Sequence, residues 1–390
     1  MSSQRIYLDH AATTPLSLEA RDAMRDAEAR DGYNASSLHA EGRRARAALD
    51  DARERVARAL GAARKEIVFT SGGSEADTMA IVGVARARRH RGGHVVSTAI
   101  EHHAVLHALD ALAGDGFEIT ILPVDASGIV GEGTFAAALR DDTILTSVMY
   151  ANNEIGTVQP IARFAALARE RGATFHTDAV AAPGALPLDV ADLGVDLLSL
   201  SAHKFGGPKG VGVLYVRAGT PLEPQIFGGP QEYGRRAGTE NVPGIVGLTV
   251  ALERTLGGWE ARSAAIAILR DRLEAAILRT VPDVTIHGRS ARRLPGLLSV
   301  AFAGVDVEQL LVALDLAGVA VSAGSACTSG SLEPSHVIAA LGNPDHAGRT
   351  VRFSLGRETT REEIDRVAEL LAGMVKAIRT PAYESALDGE

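Results

Sequence analysis

The chain reads as an α/β protein with a mostly parallel central sheet, followed by a smaller α+β domain. Three observations predict this. Short apolar runs alternate with helical stretches through the first two thirds; those stretches carry their own start and stop residues; and the rhythm changes after about residue 255. The first β-rich run is EIVFT (66–70), and a helical stretch follows from Ser74 to about Arg91. HVVST (94–98), FEITILP (117–123), TILTSVMY (143–150), ATFHTDA (173–179) and VDLLSLS (195–201) repeat the signal of buried strands. Helical segments lie between most of them. One is PIARFAALARERG (160–172), with proline near its start and glycine at its end. Strands joined through helices make an open parallel sheet covered on both faces. GVGVLYV (210–216) follows a turn and is expected as an added antiparallel strand.

Beyond residue 255 a long helix is expected from Trp259 to Thr280. Then come LLSVAF (297–302), a helix around 306–317, VAVSAG (319–324), a helix near 335–341, TVRFSL (350–355) and a last helix. That helix opens with Thr360 and Glu363 at the spacing of a capping box, and Ile364, Val367, Leu371 and Val375 share one face. The expected division is a large domain over 16–255 and a small one over 1–15 and 256–390, which carries the only cysteine, Cys327. The polar tail AYESALDGE is expected to fray.

Composition narrows the function. Of 390 residues, 46% are hydrophobic and 23% charged, the balance of a globular chain. A formal net charge of −8 argues against direct binding to a nucleic-acid backbone, which needs clustered positive charge. The basic run RARRHR (86–91) reads as a solvated helix end. The start MSSQRIYLDHAATTP lacks the pattern of a signal peptide, and no apolar stretch approaches the roughly 18 residues of a membrane span. A cytoplasmic location is therefore expected, with no membrane partner. One cysteine builds neither an intrachain disulfide nor a cysteine-rich zinc site, so Cys327 matters, if at all, as a thiolate.

In doubly wound sheets ligands collect at the carboxyl ends of the strands. Three such ends carry chemistry. TSGGSEAD (70–77) leads small residues into a helix, where the amides of Gly73 and Ser74 and the Ser74 hydroxyl suit an anion. No Gly-Lys-Ser/Thr follows, so this is not a nucleotide P-loop. HTDAV (176–180) places Asp178 at a strand end, and SAHK (201–204) places Ser201, His203 and Lys204 at the next. Each has a plainer reading by itself: a turn, a helix-capping aspartate, an exposed loop lysine. Taken together they fit pyridoxal 5'-phosphate. Its phosphate needs an anion cradle, its aldehyde an amine, and its ring nitrogen an acid. His102, His103 and His107 share one helix, but no carboxylate pattern supports a metal site there.

The ordered series YLDHAATTP, TSGGSEAD, EHHAVL, NNEIGTVQPI, HTDAV, SAHKFGGPKGVGVLYV, RRAGTEN, SAGSACTSGSLEPSHVI and VRFSLGRETT resembles the cysteine desulfurases. These form the NifS- and IscS-like branch of the class V, fold-type I, aminotransferase group. The resemblance runs from about residue 6 to 365. It implies the aspartate aminotransferase-like fold of pyridoxal phosphate-dependent transferases. Within the family, GSACTSGSLEPSHV resembles the subgroup with a longer cysteine loop; a narrower likeness to the DndA-like desulfurases of DNA phosphorothioation rests on no quoted motif.

Carried over residue by residue, the resemblance implies that Lys204 holds the cofactor covalently, Asp178 partners the ring nitrogen and His102 stacks on the ring. Gly73, Ser74, Ser201 and His203 match phosphate contacts. Thr239 matches a threonine reaching the phosphate from the neighbouring subunit, which implies a homodimer with shared sites. Asn153 matches a residue beside cofactor and substrate, and Asn34 and Arg352 match residues holding the substrate carboxylate. Guanidinium suits that task through two parallel hydrogen bonds. Cys327 matches the nucleophile. The implied reaction takes L-cysteine to L-alanine: Lys204 or His102 moves the α-proton, and the Cys327 thiolate takes the sulfur. The resulting persulfide serves an acceptor protein for iron–sulfur assembly or for tRNA or DNA thiolation.

Two positions depart from the family pattern. Ala181 stands where a glutamine usually meets the cofactor's phenolic oxygen, and NASS places Ala35 where proline is usual. The alternatives are a selenocysteine lyase or another class V enzyme, which would not need Cys327, and a scaffold that has lost the chemistry, against which Lys204, Asp178, His102 and Cys327 weigh.

Overall fold

The computed structural model describes residues 5–324 and 334–380. Cys327 and the tail AYESALDGE lie outside the described residues. Seven strands form the main sheet, in the order Ile67–Thr70, Gly212–Val216, Leu197–Ser201, Thr174–Asp178, Thr143–Ser147, His94–Thr98 and Glu118–Leu122. The last five pair in parallel. Gly212–Val216 is antiparallel to both its neighbours and so sits inside the sheet.

Six of the seven strands are buried along their whole length. Their apolar residues divide by the strand period of two. Ile67, Phe69, Leu198, Leu200, Val213 and Tyr215 enter one core with Phe135 and Phe164. Val68, Leu197, Leu214 and Val216 enter another, against Met79, Ile81 and Val84 of the helix Gly73–Ala87. A sheet with a core on each face puts apolar residues at adjacent positions, as Ile67 with Val68 and Leu197 with Leu198 show.

A second sheet of four antiparallel strands runs Ser322–Ala323, Thr350–Ser354, Leu297–Phe302, Val284–Ile286. The helices Trp259–Thr280, Val307–Leu316 and Arg361–Arg379 lend Leu273, Ile277, Leu310, Ile364, Val367, Leu371 and Val375 to its core. The capping box of the last helix is formed, with Thr360 Oγ1 accepting from the Glu363 amide and Glu363 Oε2 from the Thr360 amide. Ile6–Tyr7 pairs in parallel with Val319–Ala320.

Three expectations are corrected. The stretch 319–324 is two short strands, because the chain leaves its pairing with Ile6–Tyr7 at Val321 to join Thr350–Ser354. The helix expected to reach Arg91 ends at Ala87, before a single 3-10 turn Arg89–Arg91. The basic run there is not simply solvated. Arg86 pairs with Asp115, Arg88 donates to Gly172 O, and Arg89 lies 4.0 Å over the Phe117 ring, so the cations fasten neighbouring loops. Helices at Leu18–Asp31, Ala40–Leu60 and Val242–Leu256 were not anticipated.

Candidate active site

A cavity of about 370 Å³ opens at the carboxyl ends of the strands. Lys204 reaches it by a tight local path. After Ser201 the chain makes one 3-10 turn, Ala202–Lys204, then doubles back through Gly206 in the left-handed region at φ +82°. Gly207 packs on Ala202 so closely that a Cβ would lie 2.8 Å from the alanine's own. The turn that carries the partly buried lysine is therefore tight. Its Nζ donates inward, to the carbonyls of Ala11 (2.6 Å) and Ala12 (3.0 Å), and Thr14 Oγ1 in turn donates to Lys204 O. HAATTP thus forms the wall against which the amine is held.

Asp178 ends its strand on the cavity floor, buried, with Oδ1 accepting from the Val180 amide (2.8 Å). Burial raises its pKa, a rise eased by His102, by that amide and by Lys204. Asp77, on the helix Gly73–Ala87, lines the same cavity. Burial and the charge of Asp178 hold its carboxyl well above the usual carboxylate range. Beside it His176 sits between Ser147 Oγ (2.9 Å) and Ser199 Oγ (3.0 Å), with Nε2 3.6 Å from Asp77 Oδ1. Burial pushes that imidazole down to about 3, so it is neutral at physiological pH. A protonated ring nitrogen needs an anion, and Asp178, on the cavity floor near His102 and Lys204, is the carboxyl placed to supply it.

His102 caps the helix His103–Gly114, its Nδ1 accepting from the Ala104 amide at 3.1 Å. In the neutral ring the proton is then on Nε2. Gly73 and Ser74 open the helix opposite; a Cβ on Gly73 would stand 2.9 Å from Val180 Cγ2, so the backbone comes as close as glycine allows. Ser201 and His203 complete this end. His203 Nδ1 lies 3.2 Å from Thr13 Oγ1, and burial, with the charges of Lys204 and Lys209, lowers its pKa to about 4. Helix amides, hydroxyls and the neutral His203 imidazole make an anion cradle, with Lys204 beside it. This donor set fits pyridoxal phosphate.

The cavity therefore brings together Lys204, Asp178, His102, Gly73, Ser74, Ser201, His203 and Asn153, with Ala181 in its wall. Three expected residues are not in its lining. Asn34 is exposed and its Oδ1 accepts from the Ser36 amide. Thr239 is exposed. Arg352 is only 1% exposed and lies behind Asn153: its Nη2 donates to Asp9 Oδ1 (3.0 Å) and its Nη1 to the carbonyls of Asn153 (3.0 Å) and Gly324 (3.3 Å). Cys327 lies outside the described residues. Among those described, no group of three or more His, Cys, Asp or Glu is arranged to hold a metal ion.

Sequence reasoning passed over Asp77, His10 and the arginines Arg254, Arg262 and Arg357, all of which line the cavity. Asp77 and His10 stood inside quoted motifs, TSGGSEAD and YLDHAATTP, and their placement beside reactive neighbours was the available signal. Arg357 likewise stood inside VRFSLGRETT, whereas Arg254 and Arg262 lie in no quoted motif.

A family model described as aminotransferase class-V matches residues 6–367. The cysteine desulfurase IscS of Dictyoglomus turgidum is 47% identical over 378 residues, covering 97% of this chain and 96% of that protein. Among solved structures, a NifS-like protein gives a TM-score of 0.90 at 34% identity, covering 96% of this chain and 100% of that one. DndA from Streptomyces lividans gives 0.76 at 36% identity, covering 89% and 99%.

Proposed function

The chain belongs to the class V aminotransferase family, and we propose that it is a pyridoxal phosphate-dependent cysteine desulfurase that converts L-cysteine to L-alanine and carries the sulfur as a Cys327 persulfide. The observation that carries this reading is the Lys204 amine turned into a cavity floored by Asp178 and flanked by His102. When bound, the cofactor supplies an aldehyde for that amine and a ring that accepts electrons from the substrate carbon.

The chain's own residues supply the rest. Asp178, kept from water, holds a proton at the ring nitrogen. His102 covers the ring face. Gly73, Ser74, Ser201 and His203 receive the phosphate, with Thr239 of a neighbouring subunit in a homodimer. Ala181 offers no amide donor to the cofactor's phenolic oxygen; Asn153, in the same lining, would be a polar side chain available to it. The resemblance assigns the substrate carboxylate to Asn34 and Arg352, which stand outside the cavity lining here; to take it, Arg352 would release Asp9. Lys204 or His102 moves the α-proton. The Cys327 thiolate then attacks the substrate sulfur: an S–S bond forms, the carbon–sulfur bond breaks, and the carbon keeps the electron pair and takes a proton to become alanine. The persulfide passes its outer sulfur to an acceptor protein, so any nucleic-acid role is indirect. Residues 16–255 would form the cofactor domain and 1–15 with 256–390 the smaller one; many of the latter's buried apolar residues share one core, while Val337, Ile338 and Leu341 cluster with Ile100 and Met149. No helix among the described residues is long and apolar enough to cross a membrane, in keeping with a cytoplasmic enzyme.

The test is direct. Purified protein given L-cysteine should release alanine and, with a thiol, sulfide. Cys327→Ser should lose both while keeping the cofactor absorbance. Borohydride reduction should fix the cofactor on the Lys204 peptide. Full activity in the serine variant, or an adduct elsewhere, would remove the assignment.

A further inference from the structure

The wall of the cavity holds a buried acid with no part in the scheme above. Asn152 is fully buried and fixes its own turn: Oδ1 accepts from the amides of Glu154 (2.8 Å) and Ile155 (2.9 Å), and Nδ2 donates to Ile100 O (2.9 Å). That turn presents Asn153 to the cavity and leaves Glu154 3% exposed. Glu154 Oε2 accepts a 2.5 Å hydrogen bond from Ser335 Oγ, and Ser335 caps the helix His336–Ala340. The same oxygen faces Gly324, where a Cβ would stand only 2.6 Å away. Gly324 O also accepts from Arg352 Nη1, which donates in addition to Asn153 O. On the Ser335 side, His336 Nε2 donates to Glu101 O, next to His102.

Gly324 and Ser335 flank Cys327 in sequence. One carboxylate oxygen bonds to Ser335 and leaves no room for a Cβ at Gly324, and the neighbouring Asn153 lines the cavity. Burying a carboxyl group is costly where an apolar side chain would fill the same space. Burial holds the Glu154 pKa above the ordinary range, offset by Ser335, Arg352, His103 and His102. A group kept at such a cost, against a residue that must lack a Cβ, is doing more than filling volume.

We propose that Glu154 is a positioning residue for the nucleophile: its carboxylate clamps Gly324 to Ser335 and so sets where the chain on either side of Cys327 meets the cavity wall. The proposal rests on the reading of Cys327 as the persulfide carrier. Misplacing a reacting group by about 1 Å can cost on the order of a hundredfold in rate.

The test is a single turnover of the holoenzyme with L-cysteine, following persulfide on the Cys327 peptide by mass spectrometry, with cofactor absorbance and cofactor Kd measured alongside. Glu154→Ala and Ser335→Ala should slow persulfide formation at least about tenfold while the cofactor Kd stays within about twofold. Glu154→Gln keeps an oxygen for the Ser335 hydroxyl and should recover most of the rate. Wild-type rates in the two alanine variants overturn the proposal, as does a loss of cofactor binding that parallels the loss of rate. If Glu154→Ala does not fold, Ser335→Ala decides. Cys327→Ser in the same assay separates the two claims. The chain has no other cysteine to carry sulfur, so the serine variant is followed by its alanine product: alanine at the wild-type rate there removes the nucleophile and the clamp together; alanine lost there, with persulfide formed at the normal rate in Glu154→Ala and Ser335→Ala, removes the clamp alone.

Discussion

Glu101 sits wholly out of water behind His102, its Oε1 accepting from Thr98 Oγ1 (2.7 Å) and the Met149 amide (2.9 Å), with no partner for Oε2 among the described residues. Burial raises its pKa from 4.5 to about 8. The folded chain therefore holds a proton that the unfolded chain releases above about 4.5. Between these values the native state binds more protons, so stability falls as pH rises through the window, by on the order of 1 kcal/mol per pH unit. Glu101→Gln retains an acceptor oxygen and cannot ionise. Its Tm should decline less than the wild type's between pH 5 and about 8; parallel curves would mean that Glu101 does not titrate there. Asp178 makes a different prediction. Asp178→Asn still offers an oxygen to the Val180 amide but can no longer hold a counter-charge at a protonated ring nitrogen. Turnover should fall by about a hundredfold while borohydride still fixes the cofactor on Lys204. Unchanged turnover would show that this carboxyl is not the nitrogen's partner.

Among the elements, the last helix is the simplest to perturb. Thr360→Ala removes the hydroxyl that receives the Glu363 amide and should cost about 1 kcal/mol in thermal or denaturant unfolding, with cofactor absorbance unchanged. That helix was readable because a capping box and a single apolar face are local signals. The strands His94–Thr98 and Leu297–Phe302 were readable for a related reason: burial on both faces leaves apolar residues at adjacent positions, Val95 with Val96 and Leu297 with Leu298. Ala40–Leu60 was passed over although Ala45, Leu49, Ala52, Val56 and Leu60 are buried on one side. Alanine contributes so little apolar contrast that the stripe is faint among the helix's ten charged residues, Arg43 and Glu54 among them. The site divides in the same way. Lys204, Asp178 and Ser201 follow apolar runs, so their place at strand ends was visible. Asp77, Glu101 and Glu154 were not visible as buried acids, because their burial is set by Asp178, Met149 and Ser335, each distant in sequence.

In the whole molecule, Thr239 raises the question of which chain it serves. It is exposed, yet its segment is firmly held. Glu232 and Tyr233 take left-handed backbone angles (φ 46° and 60°), a strain of the kind that persists only when surroundings enforce it. The enforcement is a buried bidentate pair, Arg53 to Glu232 at 2.6 and 2.7 Å, with Glu232 also accepting from the Phe69 amide. Four residues later Arg236 pairs with Glu75, whose other oxygen receives the Ser71 amide at the mouth of the phosphate cradle. The segment is thus anchored to its own chain's cradle while Thr239, with Phe227 at 83% exposure nearby in sequence, faces outward. A threonine so placed fits a site on a second copy. Hybrid dimers made from Lys204→Ala and Thr239→Val chains distinguish the two arrangements. If Thr239 acts across the interface, the hybrid has one site with both Lys204 and Thr239 intact, and it should bind one cofactor per dimer at wild-type affinity. If Thr239 serves its own chain, no site in the hybrid is whole, and covalent cofactor should appear only with the weakened affinity of the Thr239→Val protein. The second result, or a chain that remains monomeric at 40.7 kDa, would exclude a shared site.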